Sequence, residues 1–217
     1  MTTRRIFWLL LFTVGMAYVE SAVVVYLRGI YYPRGFSFPL VIIPEGMAGI
    51  EIGREAATIL MLTGLAMLAG SDKWERFLLF CLAFAVWDIL YYVWLEMFIG
   101  WPDSILAWDI LFLIPVPWVG PVLAPVLVSA AMTAASALLL REKSRGVTLS
   151  FPAGLWALAV AGGLLVILSF TLDYKVVFEG SSPPPFRWGV FLTGMAMGIV
   201  ALVVGVRRLN RAPAASA

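Results

Sequence analysis

Six stretches of the chain are almost wholly apolar, and short polar segments separate them. They run from Ile6 to Tyr26, Ile50 to Gly70, Phe77 to Phe98, Pro121 to Leu140, Leu149 to Leu172 and Trp188 to Val206. Each reaches the roughly 20 residues that a helix needs to cross the hydrocarbon core of a bilayer, although the second has an acidic start. Strict alternation of apolar and polar residues, the mark of barrel strands, is missing. Lipid offers the backbone no hydrogen-bond partners, so a segment that crosses it must satisfy its own peptide groups, and the pattern predicts helices. The expected fold is all-α: one polytopic transmembrane helical bundle of about six spans over residues 1–209. A disordered tail, 210–217, ending APAASA, is expected to follow.

The polar segments sort by charge. Arg4, Arg5, Lys73, Arg76, Arg141, Lys143, Arg145, Arg207, Arg208 and Arg211, ten of the fifteen basic residues, fall on one side of a six-span arrangement. The positive-inside rule makes that side cytoplasmic, with both termini inside a plasma (inner) membrane. The N-terminal TTRRIFWLL has the twin arginine of an export signal, and Gly15-Met16-Ala17 could serve as a cleavage site. Its apolar run nevertheless continues through Val23-Val24-Val25 to spanning length, so a retained first helix is expected.

Two external segments depart from this simple plan. Residues 102–120 are apolar, too short for two crossings, and punctuated by Pro115 and Pro117, with Pro121 just beyond. A single crossing there would put Arg141 to Arg145 outside. The expectation is a re-entrant or interfacial helix followed by a broken start to the fourth span, covered by protein or lining a cavity. Gly29 to Gly49, rich in aromatics and prolines, is expected to fold back onto the outer leaflet. In the last span, Gly194 and Gly198 make a G-x-x-x-G face, suited equally to packing within the bundle and to self-association.

Composition supports the membrane assignment and removes several chemistries. The chain is 62% hydrophobic and 13% charged, with mean hydropathy +0.97, against about 25% charged for a soluble domain. A net charge of +2 with scattered basic residues excludes a nucleic-acid surface. Without a histidine there is no bis-His haem, Glu-x-x-His di-iron centre or His-based triad, and the usual zinc sites lose their imidazoles. No cofactor or metal site can be named. Cys81, the lone cysteine, cannot form an internal disulfide and is assigned to packing.

The informative residues are the acids inside apolar runs. The tetrapeptide Trp-Asp-Ile-Leu occurs twice, at 87–90 and 108–111. A charge at the centre of the bilayer costs roughly 2.5 to 3.5 kcal/mol on insertion scales, so such a residue normally faces the bundle interior and has a partner. Asp88 falls midway along the third span, and Glu20 in the outer half of the first. Glu51 and Glu55 share a face at the external start of the second span, with Arg54 on a neighbouring stripe. Asp109 belongs to the re-entrant segment. Tyr91 and Tyr92, three and four residues after Asp88, could donate to it, and Glu96 would extend an Asp88, Tyr92, Glu96 stripe while Trp87 points elsewhere. The candidate site is Glu20, Glu51, Arg54, Glu55, Asp88, Tyr92 and Asp109.

Plainer explanations compete at each position. Arg28 and Arg54 could neutralise Glu20, Glu51 or Glu55 in a structural ion-pair network, with a helix N-terminus favouring the last two. Asp109 could be a cheaply exposed interfacial residue, and Glu45, Asp103, Asp173 and Glu179 are read as solvated. Trp94, Trp101 and Trp118 suit an aromatic belt, whereas Trp87 and Trp108 could line a cavity.

Three functions follow. One is an acidic, aromatic-rich cavity in the outer half of the bilayer that binds or transports a cation, proton or amphipathic small molecule. Another is a non-enzymatic subunit or anchor of a larger complex. The third is an intramembrane enzyme acting on a lipid or isoprenoid with an aspartic general acid. The partners expected are membrane lipid and either an external-side protein or a hydrophobic small molecule, and no nucleic acid.

Overall fold

The computed structural model describes residues 3–179 and 184–209; the tail expected at 210–217 lies outside them. The elements run α1 (Thr3–Tyr31), α2 (Glu45–Ala69), α3 (Lys73–Ile99), β1 (Trp108–Phe112), β2 (Trp118–Pro121), α4 (Leu123–Ser144), α5 (Ala153–Thr171), α6 (Val176–Glu179) and α7 (Trp188–Leu209). All but α6 among the helices are long and apolar enough to cross a membrane, as a multi-pass membrane protein requires. Their ends follow local chemistry. Asp72 caps α3 by accepting from the amides of Trp74 and Glu75 at 2.9 and 3.2 Å, and Gly100, at φ 62°, closes it in the left-handed region. Pro44 and Pro152 stand just before α2 and α5, where a missing N–H costs nothing.

One end of the bundle is closed by a dry block of side chains. Leu9, Leu62, Leu78, Leu79, Leu82, Leu139 and Leu140 are buried together there, drawn from α1 to α4. Beyond them lies the basic end, where Lys143 Nζ meets Asp72 at 2.6 Å and Arg5 donates to Ser71 at 3.0 Å. α5 and α7 pair tightly with each other. A Cβ on Gly162 would stand 2.6 Å from the Gly194 carbonyl oxygen, and one on Gly194 would stand 2.5 Å from that of Gly162. The two backbones therefore touch, while a Cβ on Gly198 would meet nothing. Gly194 thus serves packing inside the bundle.

The opposite end corrects the helix expected within 102–120. Residues 108–121 form an antiparallel hairpin, pairing Trp108 with Pro121, Asp109 with Gly120 and Ile110 with Val119, with an irregularity before Phe112 meets Trp118. The composition explains it. Trp, Ile, Val and Phe suit a half-buried pleated surface, and Pro115 and Pro117 fall in the connection, where no ladder bond is lost. The fold is therefore a helical bundle carrying one small sheet. The outer loop packs on this hairpin: Leu40 is buried, and Phe36 and Phe38 join Val119, Trp108 and Ile110 in one cluster with Tyr174 and Phe178. Protein, not the leaflet alone, is what that loop folds against. Asp173, expected to be solvated, is bound by Arg187 through two bonds of 2.9 Å.

Candidate functional site

Between the dry block and the hairpin lies a cavity of about 480 Å³. Helical periodicity brings its walls together. On α1, Val24, Leu27 and Arg28 lie four, seven and eight residues after Glu20 and so share its face, and α2 turns Glu51, Arg54 and Glu55 toward them. α3 contributes Trp87, Asp88, Tyr91 and Tyr92, and β1 contributes Asp109. All seven residues singled out from the sequence line this one space. Its remaining surface is largely aliphatic, from Val41, Ile42, Ile43, Ile52 and Leu111.

The polar groups form three separate arrangements. In the first, Arg54 joins α1 to α2. Its Nε stands 3.0 Å from both carboxylate oxygens of Glu51, and its Nη1 is paired with Glu20, which also accepts from the Thr58 hydroxyl at 3.1 Å. Beside it, Glu55 accepts from the Leu113 amide at 2.9 and 3.1 Å, tying α2 to the end of β1. That bond satisfies an edge amide the hairpin would otherwise leave open.

Arg28 organises the second. It donates to Asp109 at 3.0 Å, and its guanidinium carbon lies 3.7 Å from the Trp101 ring centre and 4.6 Å from that of Phe36. A planar cation between aromatic faces, paired with one carboxylate, suits a site with little water. Asp109 is 2% exposed, so it is no surface aspartate. Trp101 is accordingly part of this clamp and not of a belt, and Trp118 stacks on Phe170 at 6.3 Å.

Asp88 forms the third. Its Oδ2 accepts from Ser129 on α4 at 2.8 Å, which replaces the expected bond from Tyr91 or Tyr92. Tyr92 instead tilts against Trp101 at 6.2 Å. Glu96 is exposed, so the stripe expected from Asp88 through Tyr92 ends before it. Of the two expectations for Trp87, that it turns away from the polar stripe or that it lines a cavity, the second matches its place: it is buried, lines the cavity and packs against Phe84 and Phe112.

Sequence reasoning passed over Ser129, Thr58 and the Leu113 amide. Ser129, Thr133 and Ser136 recur at four- and three-residue steps within an otherwise apolar run, and that spacing was a readable sign of a polar face on α4. Among the described residues, no group of three or more His, Cys, Asp or Glu is placed to hold a metal ion. The arrangement can neutralise and orient a positively charged guest, and it can move protons among carboxyls and hydroxyls. No family model, curated protein or solved structure matches the chain.

Proposed function

We propose that the protein binds or transports a small amphipathic molecule with a cationic head, held in the outer half of the plasma (inner) membrane. One observation carries the reading: five carboxylates line the cavity against two arginines. Arg54 is committed to Glu20 and Glu51, and Arg28 to Asp109. Glu55 and Asp88 are bonded to neutral donors, and neither is in an ion pair among the described residues. Carboxylates in an apolar setting are costly unless something positive or a proton accompanies them. The aliphatic walls supply the surface for an apolar body, as ligand pockets commonly do. With the basic end inside, N-in and C-in, the cavity faces the outer leaflet, from which such a molecule would enter.

Binding of tetraphenylphosphonium and dodecyltrimethylammonium to the detergent-purified protein tests this by calorimetry. Both should bind, and dodecyl sulfate should not. Asp88→Asn and Glu55→Gln should each weaken cation binding about tenfold, the scale of one charge-assisted contact. Equal affinity for cationic and anionic amphiphiles refutes the reading. A second reading, a subunit of a larger complex, is favoured by Ile42, Ile105 and Leu106, which lie beyond the helices at 82%, 61% and 57% exposure. Co-purification of a partner chain after mild extraction would support it.

A further inference from the structure

The carboxylates of the cavity differ in what holds them, and the difference singles out one. Glu20, Glu51 and Asp109 are each ion-paired with a guanidinium group. Glu55 is held by a backbone amide, which can donate to a carboxylate but cannot accept from a carboxylic acid. Asp88 is held by a hydroxyl. Ser129 can donate to the carboxylate or, by rotating its O–H, accept from the acid, so this bond survives a change of protonation.

A second, independent feature lies one turn further along α4. Thr13, Ser21, Thr63, Thr171 and Thr193 each donate to the carbonyl four residues back, at 2.8 to 3.1 Å, as helical hydroxyls in apolar surroundings ordinarily do. Thr133 makes no such bond, and its Oγ1 is buried without a partner. It follows Ser129 on the same face of α4. The hydroxyl face of α4 thus continues one turn beyond the residue that binds Asp88.

Resting on the cation-binding reading, we propose that Asp88 is the proton carrier of the cavity, giving up one proton for each amphipathic cation that binds. The O–H bond of the acid breaks, its electron pair stays on the carboxylate, and the proton passes to water, with the Ser129 hydroxyl beside it. The charged and titratable groups sharing the cavity are the Arg28–Asp109 pair, Arg54 with Glu20 and Glu51, Glu55, and the phenols of Tyr31, Tyr32, Tyr91 and Tyr92. The paired acids are already neutralised, and the amide that holds Glu55 offers the O–H of its acid form no acceptor, which leaves the exchange to Asp88.

The test titrates the weakly buffered, detergent-purified full chain with tetraphenylphosphonium while a pH-indicator dye records proton release. About one proton should appear per cation bound, and affinity should rise about tenfold per pH unit while Asp88 is protonated, because one proton is exchanged. Asp88→Asn should bind with no proton release and no pH dependence. Glu55→Gln should bind more weakly yet still release one proton per cation. If Asp88→Asn does not fold, Ser129→Ala should move the pH dependence to higher pH, because the carboxylate loses its donor. Binding to the wild type without proton release, or release that persists in Asp88→Asn, overturns the assignment while the cation reading stands. Absence of binding altogether overturns both.

Discussion

Arg54 sits where three helical carboxylates converge, and its removal gives the sharpest test of how the cavity is held. The Arg54 side chain is 20% exposed, and those of Glu20 and Glu51 are 10% and 12%. At that depth the scale for breaking a buried pair applies, about 3 to 5 kcal/mol, because the remaining charge stays desolvated and unpaired. Arg54→Met keeps an unbranched apolar stem, shorter than the arginine side chain, removes the cation and strands two carboxylates beside Glu55. The cavity can admit water, so the lower figure is the better expectation: about 3 kcal/mol, which corresponds to roughly 6 to 12 °C in Tm for a chain of this length. Thermal unfolding of the detergent-solubilised protein, followed by tryptophan fluorescence and checked by size exclusion, measures it. The same experiment on Arg54→Met with Glu20→Gln and Glu51→Gln separates charge from packing. Without stranded charges, the triple variant should recover most of the loss, as replacement of whole buried ion networks by neutral groups often does. If it unfolds as early as the single variant, Arg54 acts through its packing and the electrostatic account is wrong.

Two further outcomes follow. Gly162→Ala and Gly194→Ala place a methyl 2.5 to 2.6 Å from a facing carbonyl oxygen and should each cost about 1 to 3 kcal/mol, whereas Gly163→Ala and Gly198→Ala, with open space, should be nearly neutral; equal sensitivity at all four positions in a thermal scan would contradict the α5–α7 contact. Outside the spans, the hydrogen bonds from Arg187 hold the Asp173 carboxyl below the usual carboxylate range. A depressed folded value means that the contact stabilises above the unfolded pKa of about 3.9 and is lost as pH falls through the folded value. An NMR titration of the Asp173 carboxyl carbon should show this low midpoint, and Arg187→Gln should raise it; identical midpoints would refute the pairing.

What was legible in the sequence was whatever depends on the average environment of a long segment. Twenty apolar residues read as a span whatever packs against them, so the six long helices were accessible from hydropathy alone. The cost of charge in lipid likewise marked Glu20 and Asp88 as inward-facing, whereas Asp109, which could have been a cheaply exposed interfacial residue, proves buried. Partners were not legible. Arg28 lies in α1 two turns after Glu20, which invited a local pairing, yet it reaches Asp109, eighty-one residues on. Asp88 has two phenols on its own helix at favourable spacing, yet its donor comes from α4. Such choices depend on helix rotation and crossing, which periodicity within one segment does not fix.

The repeated Trp-Asp-Ile-Leu shows how far context decides. At 87–90 it lies inside a 27-residue helix with apolar neighbours on both sides, and lipid leaves that backbone no alternative to its own ladder. At 108–111 the same four residues form a strand, because the prolines that follow forbid a continuing helix and a second β-favouring run is at hand to pair with. A helix of this tetrapeptide sends Trp and Asp about 100° apart, and Trp87 and Asp88 both reach the cavity. A strand sends neighbours to opposite faces, and there Asp109 lines the cavity while Trp108 packs under the outer loop with Phe38. The two aspartates thus reach one space by different backbone geometries and meet different chemistry in it. Asp109 is fixed by a cation and closes the structure, and Asp88, held by a hydroxyl, is left able to change its charge.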